Sequence, residues 1–270
     1  MEPMIPDPPD SPRLFRPRGI GEILQHAFEI YRQHWKNLIA LVAIIVAPLT
    51  LLQVFISDRL ADAYDVSQTV NGELVVNGSL AAVWLGALAT GVLSILTFTI
   101  LTGAITRAAA LTFLGRDLDI AESYRFGLAR FWSIVLVGLL FALAVIGGFI
   151  LLIIPGIYFA IRFSLSVHAL VIEGHRGTAA LKRSWGLVGG LWWHAFGALF
   201  VAAVLAAIVS GVLTAPFGSN LALRAIGQTI GQIITMPFTA LVGVLLYIDV
   251  RVRKERYDPV QLEADLARSA

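Results

Sequence analysis

Residues 130–176 read RFWSIVLVGLLFALAVIGGFILLIIPGIYFAIRFSLSVHALVIEGHR. Two apolar runs, 132–154 and 157–173, meet at Pro155-Gly156, with Arg130 before them and Arg176 after them. A hydrocarbon core about 30 Å thick takes about 17–25 apolar residues of α-helix, so each run is long enough to cross it. Pro155 has no amide hydrogen to continue a helix, and Gly156 relieves the turn sterically. The stretch predicts two antiparallel membrane helices joined by a tight outer turn. Runs at 37–57, 80–106, 192–214 and 225–248 have the same character. The expected fold is an all-α polytopic membrane bundle of six transmembrane helices.

The charges orient that bundle. With connecting segments assigned alternately to two sides, Arg13, Arg16, Arg18, Arg32 and Lys36 share a side with Arg107, Arg116, Arg125 and Arg130. Arg176, Lys182, Arg183, Arg251, Arg253, Lys254, Arg256 and Arg268 fall there too. Only Arg59 and Arg224 fall on the other side, and Arg162 lies inside a run. Lys and Arg in short loops stay in the cytoplasm. Both termini are therefore expected inside, in a bacterial inner membrane.

Hydrophobic residues make up 57% of the chain and charged residues 14%, against about 45–50% and 25% in soluble domains. Six helices use most of the 270 residues and leave no room for a separate soluble catalytic domain. Residues 18–257 form the expected membrane domain. Residues 1–17, rich in Pro and acid, read as a disordered cytoplasmic tail without the apolar core of a signal peptide. Residues 258–270 read as a second cytoplasmic tail. With no cysteine, disulfides, thiolate metal sites and Cys nucleophiles are excluded. No metal site or cofactor motif is found. Basic residues cluster only where topology explains them, which argues against nucleic acid as a partner. A basic inner face attracts anionic lipids at about 1 kcal/mol per residue near the surface.

Three segments on the basic side have i, i+3/i+4, i+7 apolar spacing and read as in-plane amphipathic helices. The first carries Ile20, Ile23, Leu24, Ala27, Tyr31 and Trp35. The second starts at Asp119 with Glu122 as a capping-box variant and carries Ile120, Tyr124, Leu128 and Phe131. The third starts at Thr178 and aligns Leu181, Ser184, Trp185, Val188 and Trp192. Their regular placement is compatible with a threefold repeat, or with the common habit of helices preceding spans. In the outer loop, residues 69–76 predict a hairpin turning at Asn71-Gly72.

Polar residues inside spans are functional candidates by default. Arg224, Gln228, Gln232, Thr235 and Thr239 recur every three or four residues and share an arc of about 80°. They are expected to face the bundle or a wet groove, either as interhelical hydrogen-bonding groups or as the wall of a polar cavity. Thr90, Ser94 and Thr97 form a second stripe. Arg162 reads as a snorkelling or paired side chain, or as an inward-facing ligand group. His168 reads as a satisfied packing residue. Asp249 and Arg253 form an i, i+4 pair.

Two stretches carry a family resemblance. One runs from Leu151 through Pro155-Gly156, Tyr158, Arg162, Glu173, Arg183 and Trp185 to Trp192-Trp193, and the other from Leu246 to Asp258. With Gly21-Glu22-Ile23-Leu24 they resemble the membrane domain attached to some glycerophosphodiester phosphodiesterases, and its standalone bacterial relatives. Arg162, Glu173, Arg183, Trp185, Tyr247, Asp249 and Arg251 match its characteristic positions. The resemblance implies a six-span membrane protein without the catalytic barrel. The tripeptide His175-Arg176-Gly177 matches a short motif of the barrel but has only Glu173 nearby as an acid.

The reading expected is a non-enzymatic membrane protein that binds or organises lipid or a membrane protein partner. The alternative is a small-solute or lipid transporter using the groove along the last span. Arg162, Gln228, Gln232, Thr235, Asp249 and Arg251 are the candidate ligand-binding residues.

Overall fold

The computed structural model describes residues 15–61, 65–70, 73–77, 80–114, 125–127, 129–217 and 221–269, with parts of the helices described by backbone alone. Helix α1 (Ile20–Ala61) joins the first amphipathic segment to the first apolar run and leaves helical geometry at His34, φ −116° and ψ 19°. Strands β1 (Asp65–Val70) and β2 (Glu73–Asn77) pair antiparallel, with Val66 opposite Val76 and an irregularity before Val70 meets Glu73. The hairpin is where the sequence places it; its turn residues lie outside the described residues. Then follow α2 (Leu80–Phe113), α3 (Phe131–Leu151), α4 (Ile153–Phe163), α5 (Ser166–Glu173), α6 (Thr178–Val188), α7 (Trp192–Thr214), α8 (Leu221–Glu255) and α9 (Pro259–Ser269). Apart from the hairpin, the described elements are helical.

Five helical stretches are long and apolar enough to cross a membrane: Trp84–Thr112, Phe131–Leu151, Ile153–Glu173, Trp192–Thr214 and Ile226–Glu255. The remaining expected run, 37–57, is helical within α1, with many of its side chains outside the described residues. The Asp119 and Glu122 cap also lies outside them.

Helix α8 is the axis. Leu241 to Val250 are buried without interruption, as expected of a helix apolar on every side. In its apolar stretch 72% of residues are buried, against 11% in α7. Helix α7 turns Ala195, Ala198 and Ala202 inward and leaves Phe200, Ile208 and Val212 more than half exposed. Small residues inside and large apolar ones outside are what a bundle in hydrocarbon needs, because close approach replaces the hydrophobic drive.

The α3–α4 turn comes earlier than Pro155-Gly156. Leu152 is extended, φ −167° and ψ 160°, so α3 ends at Leu151. A proline ring clashes with the carbonyl four residues before it, here Leu151, which forces the break ahead of Pro155. Pro155 then sits in the first turn of α4, where its missing N–H needs no helical partner. The arms touch through glycine: a Cβ on Gly148 would lie 2.8 Å from the Gly156 Cα. The run read as 157–173 falls within the single apolar stretch Ile153–Glu173, which breaks at Ser164-Leu165 into α4 and α5.

The segment expected as a C-terminal tail carries α9. Asp258 caps it through a 2.8 Å bond from the Gln261 amide, and Pro259 fits its first position. Its buried face is Leu262, Asp265, Leu266 and Ser269.

Replacing Gly148 by Ala should lower stability by about 1–3 kcal/mol through overpacking. Gly147→Ala is the control, since a Cβ there meets nothing within 4 Å. Thermal unfolding of the two variants in detergent compares them directly.

Candidate functional site

The polar residues sort into two places: a charged lattice at one end of the bundle, here called the basic end, and a cavity among the apolar helices. The lattice begins with Arg251, 7% exposed. It donates to Asp265 at 2.6 Å and to Glu255 at 2.9 Å, and its guanidinium carbon lies 3.6 Å from the centre of the Tyr257 ring. Tyr257 donates to the same Asp265 carboxylate at 3.0 Å. Arg183 of α6 donates from Nε to both Glu173 oxygens at 2.9 Å and reaches Glu255 at 2.8 Å. Tyr247 donates to Glu173 as well. Burial works to lower the Arg183 pKa, but Glu255 and Glu173 together raise it above the ordinary arginine value. Burial pushes the Tyr257 hydroxyl up, so it stays a donor. The lattice ties α5, α6, α8 and α9 together.

Two further clusters lie at the same end. Asp249 accepts from the Arg18 amide at 2.6 Å, from His194 Nε2 at 2.9 Å and from Arg253 at 2.7 Å. It thereby holds the approach to α1, the start of α7 and the end of α8. Arg162 and Lys254 serve the C-terminus of α6. Arg162 donates to the Trp185 carbonyl at 3.1 Å and stacks 4.1 Å from the ring centre. Lys254 donates to the carbonyls of Gly186, at 2.7 Å, and Gly189. Cations belong there, since the last carbonyls of a helix lack partners and carry its negative dipole end.

Three of the expected site residues, Arg162, Asp249 and Arg251, are thus engaged by the protein itself, at three separate points. Arg162 does not snorkel outward past the turn; it points to α6. The cavity holds two others, Gln232 and Thr235, together with Thr239 of the same stripe. Gln228 is exposed and does not line it, and the side chain of Arg224 lies outside the described residues.

The cavity has a volume of about 550 Å³. Its polar lining comes from Ser94, Thr99 and Thr102 of α2, Ser164, Ser166 and His168 around the α4–α5 junction, and Gln232, Thr235 and Thr239 of α8. Phe141, Phe163, Leu199, Ala202, Ala203, Ala206 and Met236 supply most of its apolar wall, and among the described residues none in the lining is charged. Ser94 and Ala203 are exposed, so the cavity reaches the apolar flank there. The hydroxyls are mostly turned onto their own helices: Thr99 to Ile95, Ser166 to Phe163, Thr235 to Gly231 and Thr239 to Met236, at 2.6–3.0 Å. The bonds of Thr99, Thr235 and Thr239 stay within one helix and that of Ser166 crosses only the α4–α5 junction, so none links the α2 and α8 stripes. They still leave each oxygen able to accept.

His168 differs. It is 3% exposed and stacks on Tyr247 with ring centres 5.9 Å apart. Neither of its ring nitrogens has a hydrogen-bond partner among the described residues, and neither does the Thr102 hydroxyl. Leaving a buried polar group unsatisfied costs about 1–3 kcal/mol. His168 is packed, as the sequence suggests, but not satisfied by protein groups.

Sequence reading misses Tyr257, Asp265 and His194. The Asp258-Pro259 cap and the Leu262/Asp265/Leu266 spacing are a legible signal for α9; nothing local marks His194. Among the described residues no three His, Asp or Glu gather as a metal site. Comparisons with protein-family models, curated proteins and solved structures match none of them.

Removing one partner of a buried charge pair leaves the other uncompensated and costs about 3–5 kcal/mol. Arg251 keeps Glu255 when Asp265 is removed, so Asp265→Leu should cost less than that, about 1–3 kcal/mol, as the Tyr257 hydroxyl loses its acceptor. Glu22→Gln, at an exposed pair with Arg16, should move the unfolding midpoint far less, since exposed pairs contribute little. Unfolding midpoints of the two variants in detergent measure the contrast.

Proposed function

We propose that this protein is a non-enzymatic integral membrane protein that takes a lipid-derived amphiphile into the cavity between α2, α5, α7 and α8. The observation that carries this reading is the cavity's make-up. It is uncharged, walled mainly by apolar side chains, lined on three helices by hydroxyl, amide and imidazole groups, and open on the apolar flank. Mostly apolar walls with a few placed polar groups are the usual composition of a ligand site, and about 300–1,000 Å³ is the usual size. An opening on the flank admits molecules dissolved in the bilayer rather than solutes from water.

The positive-inside rule supports a cytoplasmic basic end and cytoplasmic termini, in a bacterial inner membrane. Much of the basic charge there is held by internal carboxylates. Attraction of anionic headgroups then rests on exposed residues such as Arg32, Lys36, Arg176 and Lys182. The resemblance to the phosphodiesterase-linked membrane domain supports the same non-catalytic reading.

A transporter reading draws on the Gln232–Thr235–Thr239 wall. It requires a path past the basic end, where α8 is enclosed and the arginine–carboxylate lattice is closed. The binding reading needs no such opening.

Native mass spectrometry after purification in mild detergent should show one co-purifying lipid-like mass per chain. Filling the cavity from its half-buried wall with Ala206→Phe should remove it without changing the unfolding midpoint by more than a few degrees. A wild-type protein that retains no lipid, and that binds anionic and zwitterionic bilayers alike, would overturn the proposal.

A further inference from the structure

We infer that His168 anchors the head of the bound molecule, and that the molecule is a neutral, single-chain amphiphile ending in a hydroxyl. The inference rests on the lipid-binding reading and narrows it to a chemical class. A neutral imidazole has one donor nitrogen and one acceptor nitrogen. His168 lines the cavity, and both of its nitrogens are buried without a protein partner among the described residues. Buried polar groups in native structures find a partner in protein, water or ligand. A hydroxyl both donates and accepts, so it can engage either tautomer of His168 and return a bond to an acceptor such as Thr235 or Ser166.

Charge excludes other heads. Among the described residues no Lys, Arg, Asp or Glu lines the cavity, and a phosphate or carboxylate brought in would be an unpaired buried charge, which is heavily penalised. The arginines that could compensate it are already held by Glu173, Glu255 and Asp265. A volume of about 550 Å³ lies within the range for one drug-sized molecule, which favours one chain over a two-tailed lipid. Gly243 fixes the geometry, since a Cβ there would lie 2.9 Å from His168 Nε2.

The test uses the full-length protein in phosphatidylcholine nanodiscs and three photoreactive probes with the same twelve-carbon chain: an alcohol, a carboxylic acid and a hydrocarbon. Adducts are located by peptide mass spectrometry. The alcohol should label peptides covering 163–168 and 232–243 at least ten-fold more than the other two, and 1-dodecanol should compete. His168→Leu should bring alcohol labelling down to the hydrocarbon level and leave hydrocarbon labelling unchanged, which a merely misfolded cavity would not do. His168→Gln, with both a donor and an acceptor, should recover part of the preference. Equal labelling of the cavity by alcohol and hydrocarbon in the wild-type protein overturns this inference while leaving lipid binding intact. Preference for the acid overturns it too. No cavity labelling by any probe overturns both.

A second inference rests on a different observation. The Trp192 indole nitrogen lies 3.5 Å from the Tyr158 carbonyl oxygen, and the two rings stack with centres 6.0 Å apart. Tyr158 is only six residues past the α3–α4 turn at Leu152, about 9 Å of helix. Trp192 is the first residue of α7, at the basic end; α7 then runs 23 residues, about 34 Å. The turn therefore stays near the level where α7 begins and stops far short of where it ends. Its residues are nonetheless apolar and open: Ile150, Leu151, Leu152, Ile153 and Ile154 are 69–80% exposed. The geometry points to a hairpin that dips into the acyl region of the cytoplasmic leaflet and returns, leaving α1, α2, α7 and α8 as the complete crossings. Both ends of the hairpin stay on the basic side, so the charge asymmetry is unchanged.

The absence of cysteine makes the test direct. A nitroxide on Leu152→Cys should report a depth between the cytoplasmic headgroups and the bilayer midplane. A membrane-impermeant maleimide added outside should modify Ser67→Cys at least ten-fold faster than Leu152→Cys. A nitroxide depth at the outer headgroups, or equal labelling from outside, overturns the inference.

Discussion

Charge buried at the junction of four helices is the constraint on which the basic end depends. Arg251 is almost enclosed by α5, α8 and α9, and an ion in that position is tolerated only with well-placed counter-ions. Glu255, Asp265 and the Tyr257 ring supply them, and Glu173 and Arg183 extend the set to α5 and α6. Each arginine has two carboxylates, so losing one weakens its compensation without removing it. Replacing the whole set by packed apolar groups would be far gentler than stranding a cation, which is the usual asymmetry of buried pairs. The lattice therefore says more about which helices must meet, and in which register, than about net stability.

The cavity follows the opposite rule. Its walls carry no formal charge, and its hydroxyls are bonded to their own backbones. What remains unmet is concentrated in His168 and Thr102. The Arg183–Arg251 lattice pairs its ions with carboxylates, whereas His168, beside Gly243 of α8, has no hydrogen-bond partner on either ring nitrogen among the described residues. That contrast separates the part of the chain that holds the basic end together from the part proposed to bind a ligand.

Much of the architecture is legible in the sequence because hydrocarbon imposes a length and a polarity on every segment. The apolar runs, the outer hairpin, the α6 start at Thr178 and the Gln232/Thr235/Thr239 wall all follow from spacing. Three things do not. The α3 break moves to Leu152 because a proline acts on the carbonyl four residues before it, a geometric effect that a hydropathy profile averages away. The division of 157–173 into α4 and α5 leaves no compositional trace, since Ser164 and Ser166 suit a helix in lipid as well as a bend. The roles of Arg162, Asp249 and Arg251 depend on partners 14 to 231 residues away. Sequence marks such residues as costly and therefore important; only the folded chain shows that they are answered from within.

Helix α9 has a consequence for biogenesis. It follows every segment that it fastens, and it brings Asp265 to an arginine that has already entered the bundle with α8. During synthesis Arg251 must wait, hydrated or transiently paired with Glu255, until α9 folds back onto the bundle. The spanning helices can thus adjust their packing before the lock closes, and an early pause or a nick between α8 and α9 would leave an inserted but unfastened protein.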